Sequence, residues 1–332
     1  MWLRRKRRWF TFPLSRENGV TVLQPWHTWR RVGRLVAVAV TRGLRPDILH
    51  LQEQIHSFHE SPAAADVIAA APRSVATVHE VHPELRSCEW TAAAVRRAGV
   101  VVTNDRFTAE KCGRHIGRIP DAVLWSPSNV KPPAEPPARC PGLVVTFGFL
   151  SAIKGIELLH TALRLARERV PGLRWRLVGP FYPERDPHHA ALAVRVRADW
   201  IEFTGGRNDL ESHELRRWLA EAAVMALPFA DGASARRTTL HTAWAFGIPV
   251  VTTPPPGPDD AVRPGENCLT VPPDDAAGWA GAVERVLTDR ATADHLAAGS
   301  RAAGTRFGWP CLVAEHLRLY DSLLNRAAGG SP

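Results

Sequence analysis

Short apolar runs alternate with helix-length segments along the whole chain, in two series separated by a break. VTVL at Val20, DILHL at Asp47, SVATV at Ser74, GVVVT at Gly99 and AVLW at Ala122 are β-branched runs of strand length, the pattern of βαβ units that build a parallel sheet. The pattern stops near Ser126. KPPAEPPARCPG, Lys131 to Gly142, is proline-rich and aperiodic and reads as a linker. The second series then runs through LVVTF at Leu143, LRWRLVG at Leu173, WIEF at Trp200, AVMALP at Ala223, PVVTT at Pro249 and CLTVP at Cys268. After LVVTF, Ile156, Leu159, Leu163, Ala166 and Val170 step by three and four and so form one apolar stripe on a helix.

The expected fold is α/β, with two doubly wound Rossmann-like domains facing a cleft. Residues 1–130 are read as the first domain, 131–142 as the linker, 143–306 as the second domain and 307–332 as a closing helix. Ligands of such sheets lie outside the carboxyl ends of the strands, so chemistry is expected in residues that directly follow a strand.

Composition narrows the class. A chain of 332 residues is long enough for two domains, and 45% hydrophobic with 23% charged residues is ordinary for a globular protein. The net charge of +9 suits an anionic partner. No helix-turn-helix, RNA-recognition or zinc-finger pattern accompanies that charge, so nucleic acid is not the expected partner. Cys88, Cys112, Cys140, Cys268 and Cys311 are odd in number, widely spaced and without a CxxC pair, which argues against a disulfide framework and a zinc site and for a cytoplasmic setting. LVAVAV at Leu35 is the longest apolar run considered as a span and is far too short to cross a bilayer. The basic start MWLRRKRRWF has no apolar segment behind it, so at most peripheral contact with acidic lipid is expected there.

The richest candidate chemistry lies in PFADGASARRTTLHTAWAFGIPVVTT, Pro228 to Thr253. A strand at Ala223–Leu227 and a helix at 235–246 leave Asp231, Gly232 and the residues up to Ser234 as a turn with little side chain to keep a ligand off the backbone. Unpaired amides at a helix start bind anions, and arginine supplies a planar fork for phosphate oxygens. Arg236 and Arg237, about 100° apart if helical, would send one guanidinium toward a ligand and the other elsewhere. Ser234, Thr238 and Thr242 offer hydroxyls along the same segment. The plainer alternative is a helix capped by Ser234 with exposed arginines. In FGFLSAIKGIELL, Gly148 marks the turn after a strand and Lys154 stands just before the amphipathic helix. Neither a Walker loop nor a GxGxxG fingerprint is present.

In the first half, His79 directly follows SVATV, and His50 and Glu53 sit in and after the preceding strand. His79-Glu80-Val81-His82 is one residue short of the HExxH spacing, so no metal is expected. Gly206 and Arg207 follow the strand at Ile201 and are candidates for base contacts by position.

These segments, taken in order, resemble GT-B glycosyltransferases of the family 4 type. FGFLSAIKGIELLHTAL is similar to the family's G-R-L-x-x-x-K-G segment, and LRWRLVGP and WIEFTGGRNDLESHEL follow it. The arginine-bearing stretch resembles the donor-phosphate and ribose motif, and RPGENCLTVPPDD the segment after that. RPDILHLQ, SVATVHE and FGWPCLVAEHLRLYDSLL resemble less sharply the P-D-x-x-H segment, the T-x-H segment and the closing helix that returns to the first domain.

The resemblance implies a retaining transfer of a sugar from a nucleotide diphosphate to a small-molecule, glycan or lipid acceptor, with no cofactor and no metal. The diphosphate is expected across Lys154 and the Ser234–Arg237 helix start, with His79 on the sugar and His50 and Glu53 on the acceptor side. Three departures stand out. Phe149 replaces the family's arginine, and the paired glutamates of E-x7-E fall on Ser234 and Thr242. RENGVTVLQPW resembles the family's second strand, so the N-terminal sheet is expected to lack its first strand and glycine-rich loop, or the true start lies upstream. A noncatalytic sugar-nucleotide binder that supports a partner, and a sugar-nucleotide epimerase of similar build, remain the alternatives.

Overall fold

The computed structural model describes residues 14–17, 20–23, 38, 41–53, 63–85, 87–205 and 212–328. The chain divides into two compact units. The first takes Met1–Thr103, Thr108–Val123 and Ser322–Pro332, and the second takes Asn104–Phe107 and Leu124–Asp321. The proline-rich segment 131–142 therefore groups with the second unit, and the main change of unit comes at Val123 and Leu124.

In the first unit, β1 (Leu14–Glu17) and β2 (Val20–Leu23) pair only with each other, antiparallel, with Glu17 opposite Val20. VTVL was expected in the parallel sheet; it belongs instead to a separate two-stranded sheet. The physical reason is local: Asn18-Gly19 between two short apolar-polar runs is a strong hairpin signal, and a two-residue connection can only join antiparallel strands. The unit's main sheet is parallel, in the order β3 (Leu49–Glu53), β4 (Ser74–Val78), β5 (Val100–Thr103), β6 (Ala122–Val123). Helices α1 (Ala63–Ala69), α2 (Ser87–Arg97) and α3 (Arg106–Lys111) connect these strands. All of β4 is buried, as expected of a central parallel strand covered on both faces. Its core gathers Leu51, Ala64, Ile68, Val78, Val95, Val101 and Ile116.

The second unit is a six-stranded, all-parallel sheet. Its strands are β7 (Leu143–Phe147), β8 (Arg174–Val178), β9 (Ile201–Phe203), β10 (Val224–Leu227), β11 (Val250–Thr252) and β12 (Leu269–Thr270), in the order β12-β11-β10-β7-β8-β9. Between and after them run α4 (Ile156–Arg169), α5 (Pro187–Arg195), α6 (His213–Ala220), α7 (Thr238–Ala245), α8 (Ala276–Thr288), α9 (Arg290–Arg306) and α10 (Trp309–Ala328), whose residues from Ser322 on group with the first unit. Successive residues of β7 serve opposite faces: Leu143, Val145 and Phe147 join one core, and Val144 joins the other. The stripe on α4 is buried as the period requires, with Ile156, Leu159, Leu163 and Ala166 each at 1% exposure or less. The chain runs from β7 to β8 on one side and returns to β10 on the other. β7 and β10 thus flank the switch point of the sheet, where loops diverge and open a crevice at the strand ends.

Among the described residues no helix is long and apolar enough to cross a membrane. The basic segment of residues 1–13 lies outside the described residues.

Candidate functional site

The loops that leave β7 and β10 are tied together at the switch point. Ala230 N donates to Ile153 O at 3.0 Å, and Thr253 Oγ1 holds Phe229 O at 2.9 Å. Gly155, at φ 55°, ends the short turn Ala152–Lys154 and begins α4. A side chain there would press on Pro228, so glycine serves both the left-handed backbone and the close approach.

This arrangement brings Lys154, Arg236 and Arg237 into one group. Lys154 Nζ stands 4.4 Å from the centre of the Phe229 ring, and the Arg237 guanidinium 4.7 Å from the same centre. Lys154 also reaches Thr239 Oγ1 at 3.5 Å, and Gly148 lies against both of those side chains. Burial, reinforced by the positive charge of Arg237 and opposed by Asp231, brings the Lys154 ammonium down to about 7. Burial likewise lowers the Arg237 guanidinium, with Arg236 adding to the effect.

Both arginines meet the same carboxylate. Arg236 donates to Asp231 Oδ2 at 2.7 Å and Arg237 donates to Asp231 Oδ1. Arg237 also donates to Gly232 O. On the far side, Asp105 accepts from Ser234 Oγ at 2.6 Å and lies 3.6 Å from Arg236 Nε.

The helix begins later than expected. α7 starts at Thr238 with an extended Arg237 as its N-cap, and Ser234 does not cap it. Residues 234–237 form a turn closed by Arg237 N to Ser234 O, while Ala235 N goes to Asp259 Oδ2 and Ala235 O accepts from His241 Nε2. The amides of Ala235 and Arg237, expected to face an anion, are thus already bonded. The helix start with donors to offer is one turn on, at Thr238 and Thr239. Since the arginines precede the helix, the argument from a 100° offset does not apply, and both guanidiniums face Asp231.

Thr242 lies a turn further into α7, buried, with its hydroxyl bonded to Ser128 Oγ at 2.8 Å and to Thr238 O. Thr238 itself is exposed, and Gly232, at φ 88°, packs against Pro256. Phe149 is 51% exposed and packs beside His189. Gly206 and Arg207 lie outside the described residues.

Sequence reasoning missed Asp105, Phe229, Thr239, Asp259 and His241. His241 is fully buried between its bond to Ala235 O and the rings of Trp244 and Phe307, and burial brings it down to about 4, so it is neutral. Its place one turn inside an apolar helix gave no sign of this role. Asp105 had the one usable signal, a position directly after β5.

In the first unit, the ends of β3 and β4 bring His50, Gln52 and His79 together. The Gln52 amide spans the two imidazoles, with Nε2 at 3.0 Å from His50 Nε2 and Oε1 at 2.9 Å from His79 Nε2. His50 also meets Thr77 Oγ1 at 2.7 Å. Burial lowers the His79 value against the pull of Glu80. Glu53 is buried, accepts from Thr91 Oγ1 at 2.9 Å, and is raised by that burial. Gln52 had no signal of its own, because only the parallel register of β3 and β4 places it beside both histidines.

The chain resembles known proteins in sequence and in fold. Residues 141–289 match the family described as Glycosyl transferases group 1. The chain is 29% identical over 184 residues to a D-inositol 3-phosphate glycosyltransferase of Nocardioides sp., covering 52% of this chain and 40% of that protein. It is 30% identical over 189 residues to the lipopolysaccharide core biosynthesis glycosyltransferase LpsE of Rhizobium meliloti, covering 57% and 52%. The chain thus spans about half the length of these relatives. Among solved structures it is similar to Anabaena Alr3699/HepE in complex with UDP, with a TM-score of 0.68 and 18% identity over 88% of this chain and 82% of that one. The fold is that of GT-B glycosyltransferases, as the motifs implied.

Proposed function

We propose, on the premise that residues 141–289 match group 1 glycosyl transferases, that the protein is a retaining glycosyltransferase moving a sugar from a nucleotide diphosphate to an acceptor hydroxyl. One observation carries the reading. Lys154 and Arg237 stand over a single ring, Phe229, at 4.4 and 4.7 Å, beside the start of α7 and next to Arg236. Asp231 and Asp105 offset part of this charge, and three cations against two carboxylates leave a positive excess that an anion of several charges would complete. A diphosphate at the switch point does so, with the Thr238 and Thr239 amides adding donors.

In this reading the bond between the anomeric carbon and the leaving diphosphate oxygen breaks as the acceptor oxygen bonds to that carbon from the same face. The acceptor's proton passes to a donor phosphate oxygen. Charge grows on the diphosphate along this path, so fixed cations and amides stabilise the transition state more than the ground state.

The test is a panel of UDP-, GDP- and TDP-sugars scored for release of the nucleotide diphosphate, with UDP-sugars first because the HepE relative is seen with UDP. Release that depends on an added acceptor and disappears in Lys154→Ala supports the proposal. Release unaffected by Lys154→Ala and by the double arginine variant sinks the assignment.

A noncatalytic sugar-nucleotide binder is the second reading. It is favoured by the two positions aligned with the family's glutamates: Ser234 and Thr242 carry hydroxyls already bonded to Asp105 and Ser128. Tight nucleotide binding with no release in the whole panel would select it. Interconversion of the donor sugar without any acceptor would select an epimerase.

A further inference from the structure

Asp231 falls in the turn expected to leave the backbone open to a ligand, but its neighbours give it more specific work. Its two carboxylate oxygens are divided between two guanidiniums, Oδ2 to Arg236 at 2.7 Å and Oδ1 to Arg237. The arginine side chains are 18% and 13% exposed, whereas that of Asp231 is 44% exposed. The carboxylate therefore lies on the solvent side of the pair, on the path by which a soluble anion reaches the guanidiniums.

We propose that Asp231 is a positioning residue that stands in for the donor diphosphate: it holds the Arg236 and Arg237 forks on one anion, and the incoming diphosphate displaces it. The inference rests on the diphosphate site proposed above.

Three features of the group support it. The first is chemical. A carboxylate and a phosphate present similar paired oxygens to a guanidinium, so one can replace the other without moving the arginines far. The second is the division of acids. Asp105 is 1% exposed, accepts from Ser234 and faces Arg236 Nε from the protein side. Arg236 keeps that buried counter-charge when Asp231 leaves, while Arg237 keeps the Gly232 carbonyl and the Phe229 ring. Neither arginine depends on Asp231 alone for its placement. The third is charge. Lys154, Arg236 and Arg237 against Asp231 and Asp105 leave a small formal excess, and a diphosphate competes with Asp231 for the same positive faces.

The consequence is a gain of affinity when an acid is neutralised, an outcome that damage to the loop does not produce. Asp231→Asn keeps the shape and removes the charge. By isothermal titration with inorganic pyrophosphate and with UDP, the variant is expected to bind both about tenfold more tightly than the wild type, from removal of one unit charge roughly 5 Å from the ligand. In turnover it is expected to lower KM and kcat together, because the diphosphate product then leaves more slowly. Asp231→Glu retains the charge and is expected to show no gain. Asp260→Asn is the control for bulk charge: Asp260 pairs with Arg106 at 2.6 Å in the same unit, and its loss is expected to change affinity less than twofold.

An Asp231→Asn protein that binds UDP no better than wild type, or a gain matched by Asp260→Asn, overturns the role given to Asp231. If wild type and Asp231→Asn alike bind neither pyrophosphate nor UDP, the diphosphate site itself is wrong, and the inference falls with it.

Discussion

Lys154 is expected to lower the stability of the empty protein. Its ammonium is held at about 7 rather than the ordinary 10.5, and at about 1.4 kcal/mol per tenfold change in protonation equilibrium the difference amounts to roughly 5 kcal/mol. Below pH 7 the lysine is protonated in both the folded and the unfolded chain, and the folded state bears the whole cost. Between pH 7 and 10.5 the unfolded chain binds more protons than the folded one, so this group's contribution to stability rises with pH. At pH 9 the remaining cost is ~2 kcal/mol by the same linkage.

Lys154→Met keeps the length of the side chain and removes the ammonium. It loses the contact with the Phe229 ring, worth about 1–2 kcal/mol when desolvated. The ring contact belongs to the protonated amine alone, so the net expectation is a gain of roughly 3 kcal/mol at pH 6 that falls to ~2 kcal/mol at pH 9, where the folded amine is already neutral. Urea unfolding at both pH values, followed by tryptophan fluorescence, reads this as a shift in midpoint at unchanged slope. Trp175 and Trp244 are buried in the second unit and report on it. The same variant is expected to lose UDP binding, the pairing of higher stability with lost function that marks a residue kept for its site. A Lys154→Met protein less stable than wild type at pH 6, or one whose stability difference does not change with pH, would refute the reasoning.

Other outcomes follow from the same geometry. Replacing Arg236 and Arg237 together by alanine should weaken UDP binding by at least a hundredfold, since two charge-assisted contacts are lost at ~1.5–3 kcal/mol each; titration calorimetry measures it. Wild-type stability should fall by ~3 kcal/mol as pH drops from 6.5 to 4, because His241 stays neutral in the fold while the unfolded chain takes up the proton. His241→Gln, whose amide still donates to Ala235 O, should flatten that acid limb in denaturant melts. Gly179→Ala would drive a methyl into the Gly148 carbonyl at φ 148° and is expected to cost several kcal/mol, visible as lost soluble yield or a much lower melting temperature. Gln52→Leu removes the bridge between His50 and His79, and the His79 imidazole should then titrate differently by NMR in an otherwise folded unit.

The sequence by itself determined the element types, the parallel sheets and the two loops that carry the cations. Buried parallel strands read as β-branched runs, and an amphipathic helix repeats every 3.6 residues, so β7, β10 and the α4 stripe were legible without coordinates. VTVL was misplaced because its run alone does not show what it pairs with. The tertiary structure alone decided which charges meet. Asp231 can take either arginine, both or neither at the level of sequence, and the late start of α7 depends on Asp259 and His241, which approach Ala235 from residues 24 and 6 positions away. Pairing across a switch point is set by the order of strands in the sheet, and local propensity holds no record of that order.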